Sequence, residues 1–185
     1  MFIKPFVALL AAITASAAPA ANVARDDGKW EITQLYTHTP SGRPGNSPYS
    51  YVNTTIQDAT ASSISNCYLQ YIDRDAPWGV EQPCTTEGGN STWAFTLNYP
   101  TSGNADASTN FNLEFKVWSL ENTLLSNFMA REAYLAQLIA DGKTYTGGDH
   151  FEVWQNMAGQ CGGSGVCSWS LQDTPYAIAF TESTS

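Results

Sequence analysis

The chain has 185 residues, of which 14% are charged and 43% hydrophobic, and its 8 basic and 17 acidic side chains leave a formal charge of −9. With no basic run or patch, that balance argues against a nucleic-acid binder or a protein held on an anionic membrane surface. The length fits one domain with a core of its own.

The first residues have the form of a secretory leader. Lys4 precedes an apolar run that closes on small residues, Ala15-Ser16-Ala17, so cleavage is expected after Ala17. The apolar part is about 12 residues, too short to span a bilayer. Residues 1–17 are therefore read as a signal peptide and 18–28 as a disordered arm or pro-segment. Residues 29–185 are read as a single secreted domain. Losing the leader removes one base and no acid, which takes the formal charge from −9 to −10.

Period-two alternation then predicts a run of strands. In the first, Trp30, Ile32 and Tyr36 share one side, with Gln34 as a polar exception, and Trp30 and Ile32 are expected in the core. The Pro- and Gly-rich stretch from His38 to Pro48 is expected to be an exposed loop. Tyr49 to Ile56 and Asn66 to Ile72 follow as strands, then a loop carrying Trp78 and Cys84. The clearest alternation is Trp93, Phe95, Leu97, Tyr99 and then Phe111, Leu113, Phe115, Val117, joined by a turn-rich connection. One apolar face per strand implies an antiparallel sheet against a core, with those aromatics inside. Residues 126–141 break the pattern with good helix formers, and Phe128, Leu135, Leu138 and Ile139 fall on one face. One inserted helix is predicted there. Strands resume at Phe151 to Trp154, Ser168 to Leu171 and Tyr176 to Thr181. The expected fold is all-β, a single antiparallel barrel or sandwich with one inserted helix.

Four cysteines follow the leader: Cys67, Cys84, Cys161 and Cys167. In an oxidising compartment they imply two disulfides. Three pairings are open, with the pairs nearest in sequence as the natural guess. A zinc site would need CxxC spacing or a histidine cluster, and the histidines are only His38 and His150. Asn53 and Asn90 open N-x-Thr sequons, both placed where turns are expected, and mark possible glycan sites on the surface.

The chemistry-bearing residues give weak signals. His38 falls in the Pro/Gly loop and His150 beside Asp149, without a nucleophile motif, so both read as surface histidines. Glu31 and Glu114 alternate outward, but sequence does not show whether any two acids converge for glycoside hydrolysis. No catalytic, cofactor or metal residue is assigned. Gly159-Gln160-Cys161-Gly162-Gly163 resembles the opening of a small fungal cellulose-binding module, but Cys167 and the chain end follow too soon. It reads as a disulfide-closed glycine loop. Of the six Trp and nine Tyr, Tyr49, Tyr51, Trp78 and Trp154 are the candidates for an exposed aromatic surface.

Trp30-x-Ile32-x-x-Leu35-Tyr36-x-x-x-Pro40, Gly42 and Tyr49-x-Tyr51 resemble the opening of the Alternaria major-allergen-like family, small secreted β-barrel proteins of filamentous fungi. The likeness continues through Cys67, the Trp78 to Cys84 segment, Cys161-Gly162-Gly163-Ser164-Gly165 to Cys167, and Tyr176-x-Ile178. It implies a β-barrel with disulfides Cys67–Cys84 and Cys161–Cys167 and no enzymatic activity. It also implies binding of a plant thaumatin-like defence protein or a small phenolic ligand. The family's founding member joins its subunits through an N-terminal cysteine that this chain lacks between Ala18 and Trp30. A monomer or non-covalent dimer is therefore expected. The alternative is a carbohydrate-binding or wall-associated module, and a third reading is a secreted hydrolase using two acids.

Overall fold

The computed structural model describes residues 28–58, 63–72, 75–88, 91–119 and 143–184. The leader at 1–17, all of the arm at 18–28 except Gly28, the helix expected at 126–141 and the sequon residue Asn90 lie outside the described residues. Among the described residues there is no helix.

The strands are β1 (Lys29–Thr39), β2 (Tyr49–Asp58), β3 (Ser63–Ile72), β4 (Glu81–Pro83), β5 (Thr85–Glu87), β6 (Ser91–Asn98), β7 (Asn110–Ser119), β8 (Lys143–Glu152), β9 (Met157–Cys161), β10 (Cys167–Leu171) and β11 (Tyr176–Thr184). Their antiparallel path runs β4-β6-β7-β8-β11-β1-β2-β3-β5, with the β9–β10 hairpin added where β10 pairs with β1. The two ends of that path, β4 and β5, are consecutive in sequence and separated by Cys84 alone. The sheet therefore nearly closes on itself, and its two edges meet at one residue. Closure removes the exposed edges that make open sheets prone to pairing with other chains.

The Cys67–Cys84 bridge fastens this seam to β3, and the Cys84 N–H donates to the Trp93 carbonyl of β6 at 2.9 Å. The second disulfide, Cys161–Cys167, joins residues directly opposite each other in the β9–β10 ladder. Both are the pairs nearest in sequence.

Inward side chains fill the barrel. Trp30, Trp93, Phe95, Phe111, Phe115 and Phe151 are wholly buried, with Ile32, Leu35, Ile56, Leu97 and Leu113 among them. Trp30 meets Trp93 edge to face at 4.7 Å and stacks on Phe180 at 4.6 Å. Each large apolar side chain withdrawn from water in this way is worth about 1.5–3 kcal/mol. Tyr99, expected inside, is 62% exposed instead. β6 ends at Asn98, so the alternation has stopped before Tyr99.

The main departure from simple alternation is in β1. Ile32 pairs with Ile56 and Gln34 with Thr55, so Thr33 is an extra residue, a β-bulge. One inserted residue exchanges the faces of everything downstream. Leu35 and Thr37 therefore turn inward, whereas Tyr36 and His38 turn outward. The polar exception at Gln34 marks this switch. His38 and Thr39 belong to the strand, and the irregular loop begins only at Pro40. Inside, the Thr37 hydroxyl donates to the Ser108 carbonyl at 2.7 Å and ties β1 to the loop before β7.

Candidate functional site

Because of the bulge, three neighbouring strands present aromatic side chains on one outer face. β2 alternates with Ser50, Val52, Thr54 and Ile56 buried, leaving Tyr49, Tyr51, Asn53, Thr55 and Gln57 outward. β3 buries Ser65, Cys67, Leu69 and Tyr71 and leaves Ile64, Asn66, Tyr68, Gln70 and Ile72 outward. Tyr36 and His38 complete the face from β1. None of these outward positions carries a formally charged Asp, Glu, Lys or Arg, in a chain whose formal charge is −9.

The rings form a ladder across the strands. His38 stacks on Tyr51 at 4.8 Å, and Tyr51 lies 5.8 Å from both Tyr36 and Tyr68. Hydroxyls fix the outer rungs. Tyr36 Oη donates to Ser168 Oγ at 2.8 Å, and Tyr68 Oη donates to Gln70 Oε1 at 2.9 Å. Burial, and after it the neighbouring Tyr36, raises the Tyr51 phenol above its ordinary pKa. Tyr49, Tyr68, Ile64 and Ile72 are each between 41% and 53% exposed. By strand geometry the face measures roughly 27 Å along β2 and about 14 Å across β3, β2, β1 and β10. That outline is on the order of 400 Å², and within it Asn53, Thr55, Gln57, Asn66 and Gln70 are interspersed with the rings.

Of the four aromatics singled out from sequence, Tyr49 and Tyr51 belong to this face and the two tryptophans do not. Trp78 is half-buried, stacks on Tyr99 at 4.6 Å, and helps line a small pocket of about 150 Å³ with Thr39, Tyr71 and Ser108. Trp154 is 76% exposed in the turn after β8, has a left-handed backbone (φ 73°) and meets Trp169 edge-on at 6.1 Å. Three members of the ladder, Tyr36, His38 and Tyr68, were not singled out. The first two were hidden by the bulge. Tyr68 alternates outward from β3 and was legible beside Cys67. His38 is not in a loop but in the ladder, and Asn53 is not in a turn but in the middle of β2.

An open groove of about 430 Å³ lies along β7 and β8, between Asn112, Glu114, Gly148 and His150. A Cβ on Gly148 would stand 2.3 Å from the Leu113 carbonyl oxygen, so only glycine permits this approach of the strands. Glu114 and Asp149 both line this groove, and Asp149 is exposed. They differ in register, Glu114 lying opposite Gly148 and Asp149 opposite Leu113. The Asp149 carboxylate accepts from Tyr176 Oη at 2.6 Å and from the His150 N–H at 2.7 Å. Burial first, and this hydrogen bond second, raise the Tyr176 phenol above its ordinary value. The His150 ring is held between Asn112 Oδ1 at 2.8 Å and Glu152 Oε2 at 3.4 Å, with no nucleophile among those partners. No group of three potential metal ligands exists among the described residues.

No family model, no curated protein and no solved structure matches the chain.

Proposed function

We propose that the chain is a secreted, non-enzymatic recognition protein, of the kind that the Alternaria major-allergen-like resemblance suggests, and that it engages its partner through the tyrosine face of β1, β2 and β3. One observation carries this reading: an uncharged, tyrosine-rich surface on a strongly acidic protein. Interfaces are distinguished by depleted charge and enriched aromatics, and tyrosine gives large contact area at little entropic cost. The two disulfides are compatible with an extracellular life. The interior is filled by the aromatic core, which favours a ligand on the outside over one inside the barrel. A face on the order of 400 Å² is about half of what each partner gives to a standard interface, which suits a transient contact with a plant defence protein. A planar phenolic stacked on Tyr51 or Tyr68 would use the same rings.

The carbohydrate-binding alternative is favoured by a different feature. Asn66, Gln70 and Ser168 set amide and hydroxyl groups beside the rings, as sugar recognition requires.

Binding of the purified chain to a thaumatin-like protein, to a soluble flavonol and to insoluble chitin, cellulose and glucan separates these readings. The proposal expects binding to the protein or the flavonol that is lost in Y51A/Y68A while the fold is retained. Retention on a polysaccharide alone moves the function to the second reading. Binding that is indifferent to Y51A/Y68A would remove the face from consideration.

A further inference from the structure

Asn53 is the asparagine of Asn53-Thr54-Thr55, and it stands at the centre of the tyrosine face. Its directly opposite neighbours are Tyr36 on β1 and Tyr68 on β3, and Tyr51 precedes it by two on the same side of β2. Opposite side chains in such a ladder stand about 4.5–5.5 Å apart at Cβ, so three tyrosines border one amide.

The tyrosines nonetheless leave that amide clear. Tyr36 pairs with Asn53 in register, but its hydroxyl reaches Ser168, the partner of His38, and its ring lies beside Tyr51. Tyr68 also pairs with Asn53, but its hydroxyl goes to Gln70, the partner of Tyr51. Both flanking rings thus lean along the sheet toward Tyr51. Asn53 is half-buried, and its side-chain amide makes no hydrogen bond among the described residues. Asn66, by contrast, accepts from Thr55 Oγ1 at 2.9 Å.

We propose that Asn53 carries an N-linked glycan whose first sugar packs against the Tyr36–Tyr51–Tyr68 ladder, so that the glycan and an external partner share one face. The second half of this inference rests on reading that face as the recognition surface; the first half does not. In the modification, the Asn53 carboxamide nitrogen attacks the anomeric carbon of a polyprenyl-pyrophosphate oligosaccharide. The new N–C1 bond forms as the C1–O bond to pyrophosphate breaks, the pyrophosphate leaves with the bonding pair, and the amide gives up one proton. The transfer acts on the chain before it folds, so the ladder hydrogen bonds of β2 do not oppose it. Once β2 is paired, the outward direction of Asn53 brings the sugar over the rings. The apolar face of a pyranose and the face of a tyrosine ring are complementary surfaces, and their contact withdraws both from water.

The full chain with its own leader is secreted from a eukaryotic host, and the peptide holding Asn53 is examined by mass spectrometry before and after amidase release in heavy-oxygen water. The expected result is a glycopeptide converted to the aspartate mass, lost in N53Q and in T55A and kept in T55S. N53Q retains the Thr55–Asn66 hydrogen bond and separates loss of the sequon from loss of that contact. Nitration of Tyr51 and Tyr68 by tetranitromethane is then expected to be faster after enzymatic removal of the glycan than before. An unmodified Asn53 in the secreted chain overturns the proposal, whatever the state of Asn90. A modified Asn53 with unchanged nitration overturns the packing of the sugar on the ladder. If Asn53 is glycosylated and shields the rings but neither form binds any probe, the recognition reading falls and the glycan assignment stands.

Discussion

Cys84 is bonded to Cys67 at the point where the two ends of the barrel's strand path meet. β4 and β5 are only three residues each, paired to β6 and β3 respectively, and Cys84 is the residue between them. The double variant C67A/C84A should lose about 2–4 kcal/mol of stability, the usual contribution of a native disulfide. Amide exchange at 81–87 should accelerate more than exchange in β7 and β8. An unchanged urea midpoint in the variant would show that the seam holds without the bridge.

Trp93 is wholly buried and lies edge-on to Trp30 inside the barrel. W93A should cost about 3–5 kcal/mol, because the removed indole leaves a space that strands on both sides of the core are too constrained to fill. Chemical denaturation with intrinsic fluorescence as the readout measures it. W93F should cost distinctly less, since most of the volume is kept.

Tyr68 tests the opposite expectation. It is 53% exposed, and among the described residues its hydroxyl bonds to Gln70 of its own strand. Y68A should change stability by no more than about 0.5 kcal/mol, the usual range for surface sites. A thermal midpoint lowered by several degrees would show that the ladder is part of the structural framework and would weaken its reading as a surface for a partner.

Tyr176, like Tyr51, has a raised phenol pKa and should contribute to a loss of stability at alkaline pH. Burial and the Asp149 hydrogen bond raise its folded pKa above the ordinary 10.0, so the folded chain keeps a proton that the unfolded chain releases. Stability from this group is complete below the unfolded value and falls as pH rises through the folded one. Y176F should flatten that alkaline decline. At neutral pH it should cost about 1 kcal/mol for the lost hydrogen bond, with a further penalty if Asp149 is left without a replacement donor. Unfolding curves at a series of pH values from neutral to strongly alkaline, with phenolate absorbance as a parallel readout, check both signs. An alkaline decline equally steep in Y176F would assign the effect to other tyrosines.

Much of the fold was legible because alternation is a local signal. β2, β3, β6 and β7 follow their hydrophobic pattern, and the nearest-neighbour cysteine pairs are the ones formed. The strand expected at Phe151 to Trp154 covers only the last two residues of β8 (Lys143–Glu152), and β4, β5 and β9 are not among the expected strands. β4 and β5 are three residues each, and β9 (Met157–Cys161) contains Gly159 and exposes Gln160 and Cys161, so none of them shows a readable period. The candidate site was less legible. Trp78 and Trp154 attract notice by type, yet one stacks on Tyr99 and the other stands alone with Trp169. The rings that do gather come from three strands, and register between strands is a long-range property that no single stretch encodes. For Tyr36 and His38 the difficulty is sharper, since their side of the sheet depends on a backbone irregularity three residues upstream of Tyr36.

That irregularity, the bulge at Thr33, makes β1 tolerant of one kind of change and intolerant of another. Thr33 is exposed, and among the described residues its hydroxyl makes one long contact, with the Thr55 carbonyl at 3.4 Å, so its side chain should be exchangeable at little cost. Its deletion should be tolerated as well. Without Thr33, Ile32 opposite Ile56, Gln34 opposite Thr55 and Leu35 opposite Thr54 become consecutive pairs of a regular ladder, so Leu35 still faces the core and Tyr36 and His38 still face outward, and the shortened chain should keep a native fluorescence spectrum. What β1 does not tolerate is regular pairing with Thr33 retained, which would turn Leu35 to solvent and press Tyr36 and His38 into the core. The bulge thus fixes a parity and not an identity at 33.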